Sequence, residues 1–512
     1  MAIVTPIETP AGARRRLAIS NPATLQPVGE IEVQNADDVN TALEAARKAQ
    51  PAWAALSFDE RARVIRRALA VVLERQDEFV EIVLSETGKT HSEALMMEIY
   101  ATCDVMNHYA KNAAKILKTE KKRAHGLMGL MKQVRIAYRP LGVVGVISPW
   151  NGPLILAMNP TVQALMAGNA VMLKPSEVTP FSGQIPREIF QQAGLPDGLC
   201  QVLVGDGETG AALTAAGVDK ISFTGSVATG RKVAVACAER LMPCTLELGG
   251  KDAMIVCEDA NLDNAAGGAV AGAFMNTGQY CCGTERVYVV DPVVDDFTEK
   301  VVGRVAQLRQ GAEGEFDVGA IFWPQQLAII EEHMADAVEK GAKVLCGGRR
   351  NPNLDGLFYE PTVLTNVSHD MRIMTEETFG PILPIMGVRD EEHAIQLAND
   401  SEYGLSGNVW TRDKQHGFEI AQRIITGSVC VNDMSVTYGV QEAPFGGRKN
   451  SGVGQVNGAV GLRSYCHAEP VIIDRFGGKQ VATMYPHSLK RDEGMKKLMR
   501  MQWGTSLGRR LS

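Results

Sequence analysis

The spacing of hydrophobic residues predicts helices in the first part of the chain. Apolar positions recur at helical intervals over residues 36–50, 58–89 and about 92–117. The run 133–140 instead alternates between apolar and polar positions and predicts a strand or a hairpin. Residues 1–20 contain prolines and an arginine cluster, and we expect them to form a loose arm.

From residue 142 the pattern changes to short β-branched runs that alternate with helical segments. Strands are expected at 143–147, 170–173, 200–204 and 220–223, and helices at 160–167, 180–193, 208–216 and 226–240. A second block, about 252–447, has expected strands at 253–256, 286–290, 343–346 and 382–388, and helices at 264–276, 295–308 and 324–340. Strand, helix, strand at this spacing predicts parallel sheets with right-handed crossovers. The predicted fold class is therefore α/β, with two parallel-sheet domains.

Composition and charge exclude several classes of protein. A length of 512 residues exceeds what one hydrophobic core usually supports, so two or more domains are expected. The net charge of −7 leaves no basic footprint for nucleic acid. The first residues show no signal-peptide pattern, and no stretch approaches the roughly 18 apolar residues of a membrane span. We therefore expect a soluble, cytoplasmic protein.

The ten cysteines are scattered, with no C-x-x-C and one adjacent pair, so neither a zinc site nor a disulfide framework is predicted. A reducing compartment leaves such thiols free for chemistry. Cys281 follows a Gly-Gln pair, and Glu247 ends an apolar run before a Gly-Gly turn. A thiolate can capture an electrophile, and a carboxylate can activate the water that releases it. Taken alone, the simpler alternative for this stretch is an inert, buried cysteine.

Three further segments place polar groups after predicted strands. Asn151 stands in a turn where its amide can donate to a developing oxyanion. Lys174 and Glu177 follow the next strand and suit the hydroxyls of a ribose. Ser226 opens a predicted helix in a G-x-x-x-x-G segment, which differs from the Rossmann fingerprint, and free N–H groups there favour a phosphate. Each segment alone is equally compatible with an ordinary turn or loop.

The order of these segments resembles the NAD(P)-dependent aldehyde dehydrogenase superfamily. The resemblance covers roughly residues 20–470 and includes two further turns, one around Glu377 and Phe379 and one at 444–452. Seven segments match in order and at comparable intervals. The resemblance implies an aldehyde dehydrogenase-like fold with two α/β parallel-sheet domains and a small β oligomerisation element.

The resemblance also implies the catalytic roles. Cys281 would be the nucleophile, with Cys282 a bystander, and Asn151 with the Cys281 backbone N–H would form the oxyanion hole. The thiolate would add to an aldehyde carbonyl, and hydride would pass to a nicotinamide. Glu247 would activate the water that hydrolyses the remaining thioester to a carboxylic acid.

The implied cofactor site spans both sides of the first sheet's edge. Lys174 and Glu177 would hold the adenosine ribose, Ser226 the pyrophosphate and Glu377 the nicotinamide ribose, with Phe379 beside the nicotinamide. The other residues expected to line the site are Ile147, Ser148, Pro149, Trp150, Ser176, Gly225 and Leu248.

We expect NAD as the cofactor, with NADP less favoured, because the Glu177 carboxylate would accept from a 2′-hydroxyl and repel a 2′-phosphate. The nearby Lys174 softens this preference. The presence of Glu247 argues against a CoA-acylating semialdehyde dehydrogenase, which must protect its thioester from water. That enzyme class and a non-catalytic scaffold of the same fold are the alternatives. Apolar stretches around 127–131 and 154–166 favour aliphatic or aromatic aldehydes over charged semialdehydes, and the individual aldehyde stays open.

The domain boundaries follow from the resemblance. Residues 1–118 and 142–246 would form the NAD-binding domain, 247–455 the catalytic domain, and 119–141 with 456–512 the oligomerisation element. The bridging strand and the family both imply a symmetric homodimer or homotetramer.

The chain continues well past residue 473 into a basic tail. Met495, Leu498, Met499 and Trp503 fall near helical spacing in this tail. We favour a helix packed on its own or a neighbouring subunit. Capping of the substrate tunnel and attachment to a membrane surface are the less favoured alternatives.

Overall fold

The structure of the protein, a computed structural model, describes residues 3–10, 13–434, 436–476, 485 and 487–511. Its strands are β1 (Val4–Ile7), β2 (Arg16–Ser20), β3 (Pro27–Glu32), β4 (Glu120–Lys122), β5 (Lys132–Pro140), β6 (Val143–Ile147), β7 (Ala170–Lys174), β8 (Cys200–Val202), β9 (Lys220–Thr224), β10 (Cys244–Glu247), β11 (Asp252–Val256), β12 (Thr284–Val290), β13 (Lys343–Cys346), β14 (Thr362–Thr365), β15 (Ile382–Val388), β16 (Gly407–Trp410), β17 (Cys430–Val431), β18 (Gly452–Val453) and β19 (Cys466–Asp474).

The α-helices of the same residues are α1 (Ala36–Ala55), α2 (Phe58–Glu74), α3 (Gln76–Thr87), α4 (His91–Glu93), α5 (Ala101–Leu117), α6 (Gly126–Met131), α7 (Ile155–Ala167), α8 (Ile185–Gln192), α9 (Gly207–Ala215), α10 (Val227–Glu239), α11 (Leu262–Phe274), α12 (Val294–Val305), α13 (Pro324–Glu339), α14 (Arg372–Thr375), α15 (Glu391–Asn399), α16 (Lys414–Ala421), α17 (Gly458–Arg463), α18 (Leu489–Gly504) and α19 (Ser506–Leu511). A π-helical turn, Ala94–Tyr100, joins α4 to α5.

Two large sheets carry the fold. The first has the strand order β18-β10-β9-β6-β7-β8, and the second has the order β13-β14-β15-β12-β11-β16-β17. Neighbouring strands are parallel in both sheets, except that β18 and β13 lie antiparallel at an edge. The α/β class with two parallel sheets, predicted from the alternation of strands and helices, is therefore confirmed.

One predicted helix begins earlier than expected. The sequence pattern placed it at 160–167, whereas α7 begins at Ile155 and contains Pro160 in its interior. Every residue of α7 is buried, so no polar face marks where it begins. A proline is common in the first turn of a helix, which made Pro160 a misleading start signal.

The prediction of a loose N-terminal arm was wrong. Strands β1, β2 and β3 form an antiparallel sheet, and Leu17 and Ile19 alternate inward from β2 into the core. The arginine cluster is held by ion pairs of 2.7–2.9 Å, from Arg14 to Asp38, Arg15 to Asp206 and Arg16 to Glu30. Residues 1, 2, 11 and 12 of this predicted arm lie outside the described residues.

A fourth sheet has the order β19-β5-β4 and confirms the strand predicted at 133–140. The nine residues of β19 pair antiparallel with β5 along their full length. The other edge of β19 has no partner strand among the described residues, and most of its side chains are exposed.

The first sheet brings the predicted polar segments to one edge. Strands β6, β7, β9 and β10 are parallel neighbours or near neighbours, and they end at Ile147, Lys174, Thr224 and Glu247. Because parallel strands end at the same edge, the loops that follow them meet there. This edge is where a ligand site is expected in an open α/β sheet.

Helix α18 confirms the helical spacing noted in the basic tail, and α19 follows it. Residues 477–484, 486 and 512 of the tail lie outside the described residues. Helix α18 contains no buried residue, and Met495, Met499 and Trp503 are exposed. Among the helices that the structure describes, none combines the length and apolarity that crossing a membrane requires.

Candidate active site

A groove of about 460 Å³ lies beyond the carboxyl ends of the first sheet. It contains nine of the residues predicted to bind a cofactor, namely Ile147, Ser148, Pro149, Trp150, Lys174, Ser176, Glu177, Gly225 and Ser226. Small residues of α9 and α10 form much of its remaining wall, including Gly207, Gly210 and Ala236. A Cβ atom placed on Gly207 would meet no atom within 4 Å, so the space above this helix start is open.

Ser226 is the N-cap of α10. Its hydroxyl accepts a hydrogen bond from the Thr229 backbone N–H at 3.3 Å. The N–H groups before Thr229 have no intrahelical acceptor, as at any helix start. Gly225 directly precedes this N-cap, and its backbone N–H donates to the backbone carbonyl of Glu247 at 3.0 Å. The prediction of a helix beginning at this serine is confirmed.

Lys174 and Glu177 form an ion pair at the rim of the groove. The Lys174 ammonium lies 3.1 Å from a Glu177 carboxylate oxygen. The lysine side chain is 5% exposed and the glutamate 32%, so the carboxylate is the more accessible partner. A ligand hydroxyl at this rim would therefore meet both a donor and an acceptor.

A second cavity of about 250 Å³ adjoins the groove, and Trp150, Ser226 and Trp323 line both. It contains Cys281, Glu247 and Asn151 together with the remaining predicted residues Leu248, Glu377 and Phe379. The predicted site residues are thus all brought together, although they span more than two hundred positions of the chain.

Glu247 lies at the end of β10 and is 5% exposed. Neither of its carboxylate oxygens has a hydrogen-bond partner among the described residues. Burial, and then the nearby charge of Cys281, raise the pKa of Glu247 well above its ordinary value. A buried, unpaired carboxyl that faces a cavity is a strong candidate for proton transfer.

Cys281 and Cys282 differ in their access to the cavity. Cys281 is half-buried and lines the cavity, whereas Cys282 is 3% exposed and packs into an apolar cluster. The hydrogen bond to Cys281, and then burial, raise the pKa of the Cys282 thiol well above its ordinary value. Cys282 therefore stays protonated and inaccessible beside its neighbour.

Asn151 is held by a network that the sequence did not reveal. Its side-chain amide donates to the backbone carbonyl of Gln279 at 3.1 Å. The backbone carbonyl of Asn151 accepts from the Lys89 ammonium at 3.2 Å and from the Asn276 side-chain amide at 2.9 Å. Lys89 forms a fully buried ion pair of 2.7 Å with Glu98, whose other carboxylate oxygen accepts from the first backbone N–H groups of α7. The pair thus anchors both the asparagine turn and the helix that follows it.

A second buried pair holds the loop that contains Phe379. Glu285 accepts from the backbone N–H groups of Thr378 and Phe379 at 2.9 and 2.8 Å, and Lys251 lies 2.6 Å from its carboxylate. Phe379 has a φ of 51°, a left-handed conformation that is costly for a side chain of this size. These contacts hold its ring 5.5 Å from that of Trp150, edge to face.

Glu377 lies directly over the Gly-Gly turn that follows Glu247. Its carboxylate accepts from the Gly250 N–H at 2.9 Å, and a Cβ on Gly249 would lie 2.2 Å from a carboxylate oxygen. A side chain at Gly249 would therefore displace the Glu377 carboxylate from this place. Burial, and then the Glu285 carboxylate, raise the pKa of Glu377 to about 8.

The sequence reasoning missed the residues that position the site. Lys89, Glu98, Lys251 and Glu285 are ordinary charged residues in the sequence, and their partners are identified only by proximity. Trp323, which lines both cavities, precedes a helix and also carried no recognisable motif. A charged residue within an otherwise apolar stretch is a usable signal, since buried charges must be paired.

Comparisons with known proteins agree with this geometry. The sequence model of the aldehyde dehydrogenase family matches residues 9–471. A Mycobacterium ulcerans protein, provisionally named succinate-semialdehyde dehydrogenase (NADP+) 2, is 40% identical over 90% of this chain and 89% of its own length. The 4,4′-diapolycopene aldehyde oxidase of Methylomonas sp is 37% identical over 95% of this chain and 91% of its own.

A solved structure extends the likeness to three dimensions. The Mycobacterium tuberculosis aldehyde dehydrogenase in complex with NAD+ superposes with a TM-score of 0.87 at 37% identity, covering 93% of this chain and 97% of that one. Sequence and fold both match over nearly the whole chain. The chain therefore belongs to the aldehyde dehydrogenase family.

Proposed function

We propose that the protein oxidises an aldehyde to a carboxylic acid with NAD, through a covalent intermediate on Cys281. The observation that carries this proposal is the cavity that contains Cys281, Asn151 and Glu247 and adjoins the cofactor groove. A thiol, an amide donor and a buried carboxyl facing one space are the groups that acyl transfer from a thiolate requires.

The first step is addition of the Cys281 thiolate to the aldehyde carbonyl carbon, which converts the carbonyl oxygen to an alkoxide. The Asn151 amide and the Cys281 backbone N–H would donate to that oxygen, a contribution of roughly 2.7–4 kcal/mol per donor in known enzymes. The network around Lys89 and Glu98 supports this role, because it restrains the asparagine before substrate arrives.

The groove suits a dinucleotide because it offers open space over Gly207, a helix start at Ser226 and polar groups at its rim. When bound, a nicotinamide cofactor supplies the hydride acceptor that side chains lack. Ser226 and the first N–H groups of α10 would face the pyrophosphate, and Lys174 with Glu177 would face a ribose. Glu377 and Phe379 would flank the nicotinamide end.

The last step is hydrolysis of the thioester on Cys281. Glu247 would take a proton from water as the hydroxyl adds to the thioester carbon, and the sulfur leaves as the carboxylic acid forms. The raised pKa of Glu247 supports this role, because a base is most effective when its pKa is close to the working pH. Its position also disfavours the alternative in which CoA, rather than water, accepts the acyl group.

The preference for NAD over NADP rests on Glu177. Its carboxylate is the accessible member of the pair at the groove rim and would be close to a 2′-phosphate. The name of the mycobacterial relative indicates NADP, whereas the solved neighbour binds NAD+. Comparing kcat/KM for the two cofactors tests the preference, and a higher value with NADP would refute it.

We further propose that the chain assembles as a homodimer or homotetramer through its small β element, 119–141 with 456–512. Residues 1–118 and 142–246 would form the NAD-binding domain, and 247–455 the catalytic domain. The exposed edge of β19 supports the assembly, because it presents Val471 and Ile472 along an edge with which no strand of the described residues pairs. Sedimentation of Ile472→Lys tests this: the charged variant should dissociate, while an unchanged mass would contradict it.

The tail is proposed to pack on a neighbouring subunit, since α18 has no buried residue in its own chain. Truncation after residue 485 should then reduce the assembled mass. If the mass stays the same, binding to anionic vesicles and the substrate profile of the truncated protein would decide between the membrane and the tunnel alternatives.

The experiment that tests the proposed reaction follows NADH formation with a panel of aldehydes in the absence of CoA. Wild-type protein should turn over at least one aldehyde, and Cys281→Ala should turn over none. Turnover that requires CoA would favour the acylating alternative. Binding of NAD without turnover of any aldehyde would favour a scaffold.

A further inference from the structure

The groove and the second cavity meet at a junction with two walls. The described residues that line both spaces are Pro149, Trp150, Thr224, Gly225, Ser226 and Trp323. The first five lie after β6 or at the end of β9, in the first sheet and its loops. Trp323 instead lies between β12 and β13 in the chain, two strands of the second sheet. At this junction, one large aromatic side chain thus represents the second sheet's part of the chain.

Trp323 also differs from the rest of the groove wall. Every other described residue that lines the groove lies between positions 147 and 236. Gln326 and Ile329, farther along the chain in α13, line the second cavity but not the groove. Trp323 is therefore the place where the wall that includes the start of α13 reaches the groove.

The backbone on both sides of Trp323 is fixed. The Phe322 N–H donates to the Gln279 side-chain oxygen at 2.9 Å, and the Phe322 ring is fully buried. Trp323 itself is the N-cap of α13, and its carbonyl accepts from the Gln326 N–H at 3.1 Å. Pro324 follows as the first residue of the helix, where its restricted φ suits the first turn. The indole therefore extends from a backbone with little freedom.

The same contacts connect Trp323 to two loops of the candidate site. Gln279, the acceptor before it, stands two positions before Cys281. Gln326, the donor after it, also donates through its side chain to the Thr378 carbonyl at 2.7 Å, in the loop expected beside the nicotinamide. The indole is thus positioned relative to the nucleophile loop and to the nicotinamide loop together.

We propose that Trp323 is a cofactor-contact residue, whose indole covers the middle of a bound dinucleotide, from the pyrophosphate to the ribose of the nicotinamide. The inference rests on the proposed function and adds a contact to it that no sequence motif indicates. Lys174 and Glu177 line the groove, whereas Glu377 lines the second cavity. A dinucleotide that reaches from the first two to the third crosses the junction, with Ser226 on one side and Trp323 on the other.

The expected effect follows from the surface that the indole covers. An indole is large and rigid, and it loses little conformational entropy when a ligand packs against it. Alanine substitution of an aromatic residue that packs on a nucleotide base weakens binding by roughly five- to hundredfold. A ribose and a phosphate offer less apolar surface than a base, so we expect a loss of about tenfold, near the lower end of that range.

The test measures dissociation constants for AMP, ADP-ribose and NAD by isothermal titration calorimetry, with the full-length wild type and Trp323→Ala. AMP lacks the second phosphate and the second ribose, so both proteins should bind it about equally. ADP-ribose and NAD contain these groups, so each should bind the variant about tenfold more weakly. Trp323→Phe keeps an aromatic ring and should restore most of the lost affinity.

The matched control is Trp503→Ala, which removes an exposed tryptophan of α18 that lines neither space. It should leave all three affinities unchanged. Melting curves accompany every variant. If Trp323→Ala melts lower than the wild type, Trp323→Leu, which keeps more apolar volume, takes its place, and the same order of losses is expected.

Three results would overturn the inference. The first is equal affinity of wild type and variant for all three ligands, and the second is an equal loss for all three. The third is a loss confined to NAD, which would place the indole on the nicotinamide ring instead of the middle of the dinucleotide. Failure of the wild type to bind ADP-ribose or NAD would instead overturn the proposed function.

Discussion

Replacement of Glu247 by glutamine should slow the enzyme and stabilise it at the same time. The substitution keeps the size of the side chain and removes its ionisable carboxyl from a position that is 5% exposed. Wild-type Glu247 has no hydrogen-bond partner for either oxygen among the described residues, so nothing of that kind offsets the desolvation and the charge of Cys281 that oppose its ionisation. The same lack of partners is what leaves the group available to water.

The effect on activity follows from the loss of a general base, which lowers rates by about 10²- to 10⁴-fold. Formation of the thioester does not need Glu247, so a first burst of NADH should persist and only the steady state should slow. In the wild type the deacylation rate should rise with pH, because Glu247 must ionise and its pKa is raised.

The effect on stability depends on pH in the opposite sense. The ordinary pKa of a glutamate carboxyl is 4.5. At pH values below it the carboxyl is protonated in both the folded and the unfolded chain, so its ionisation has no effect on stability. As pH rises towards the folded-state pKa, the unfolded carboxyl ionises while the folded one resists, and the wild type loses stability. Each unit of separation between the two pKa values corresponds to about 1.4 kcal/mol.

The assay pairs stopped-flow measurement of NADH with melting curves recorded between pH 5 and 8. A change of a few kcal/mol in the free energy of unfolding would shift the Tm by about half a dozen degrees at most. Glu247→Gln should melt higher than the wild type by a margin that grows with pH. The exposed Glu239→Gln at the end of α10 should leave both readouts unchanged. A steady-state rate equal to the wild type would refute the role as base, and a margin independent of pH would refute the electrostatic reasoning.

Three further outcomes are expected. Cys282→Ser should keep the NADH burst and a kcat within a few-fold of the wild type, because the buried thiol does not reach the cavity. Complete loss of activity would make Cys282 a second candidate for the nucleophile besides Cys281. Lys89→Met should destabilise the fold by about 3–5 kcal/mol in denaturant titration by leaving the Glu98 carboxylate buried and unpaired, and unchanged stability would show that the pair is not charged. Glu177→Ser should raise kcat/KM with NADP by about tenfold relative to that with NAD, because the substitution removes one charge that repels the 2′-phosphate. An unchanged ratio of the two kcat/KM values would exclude the Glu177 carboxylate as the group that discriminates between the cofactors.

The sequence by itself predicted much of the local structure and the segments that supply the candidate site residues. Alternation of apolar runs with helical segments depends only on neighbours along the chain, and the strands at 143–147 and 382–388 have the predicted bounds. The parallel order of the strands then brought Lys174, Ser226 and Glu247 to one edge. Their place at strand ends could be predicted because parallel strands share a direction.

Other elements depended on partners distant in sequence. The first 20 residues read as a loose arm because their alternation is short and interrupted by prolines, yet β2 buries Leu17 and Ile19 against the core. Helix α7 lacks a polar face, so only its burial on all sides explains its extent. In both cases tertiary contacts outweighed weak local preference.

The tertiary structure alone decided the electrostatics of the site. The pairs Lys89–Glu98 and Lys251–Glu285 arise from side chains that folding brings together, and so does the burial of the Glu247 carboxyl without a hydrogen-bond partner among the described residues. Burial and Coulomb energy depend on distance in space and on the exclusion of water, neither of which is written in the local order of residues. The sequence therefore predicted which groups would react, and the fold determined how each of these side chains is held and how burial and charge act on it.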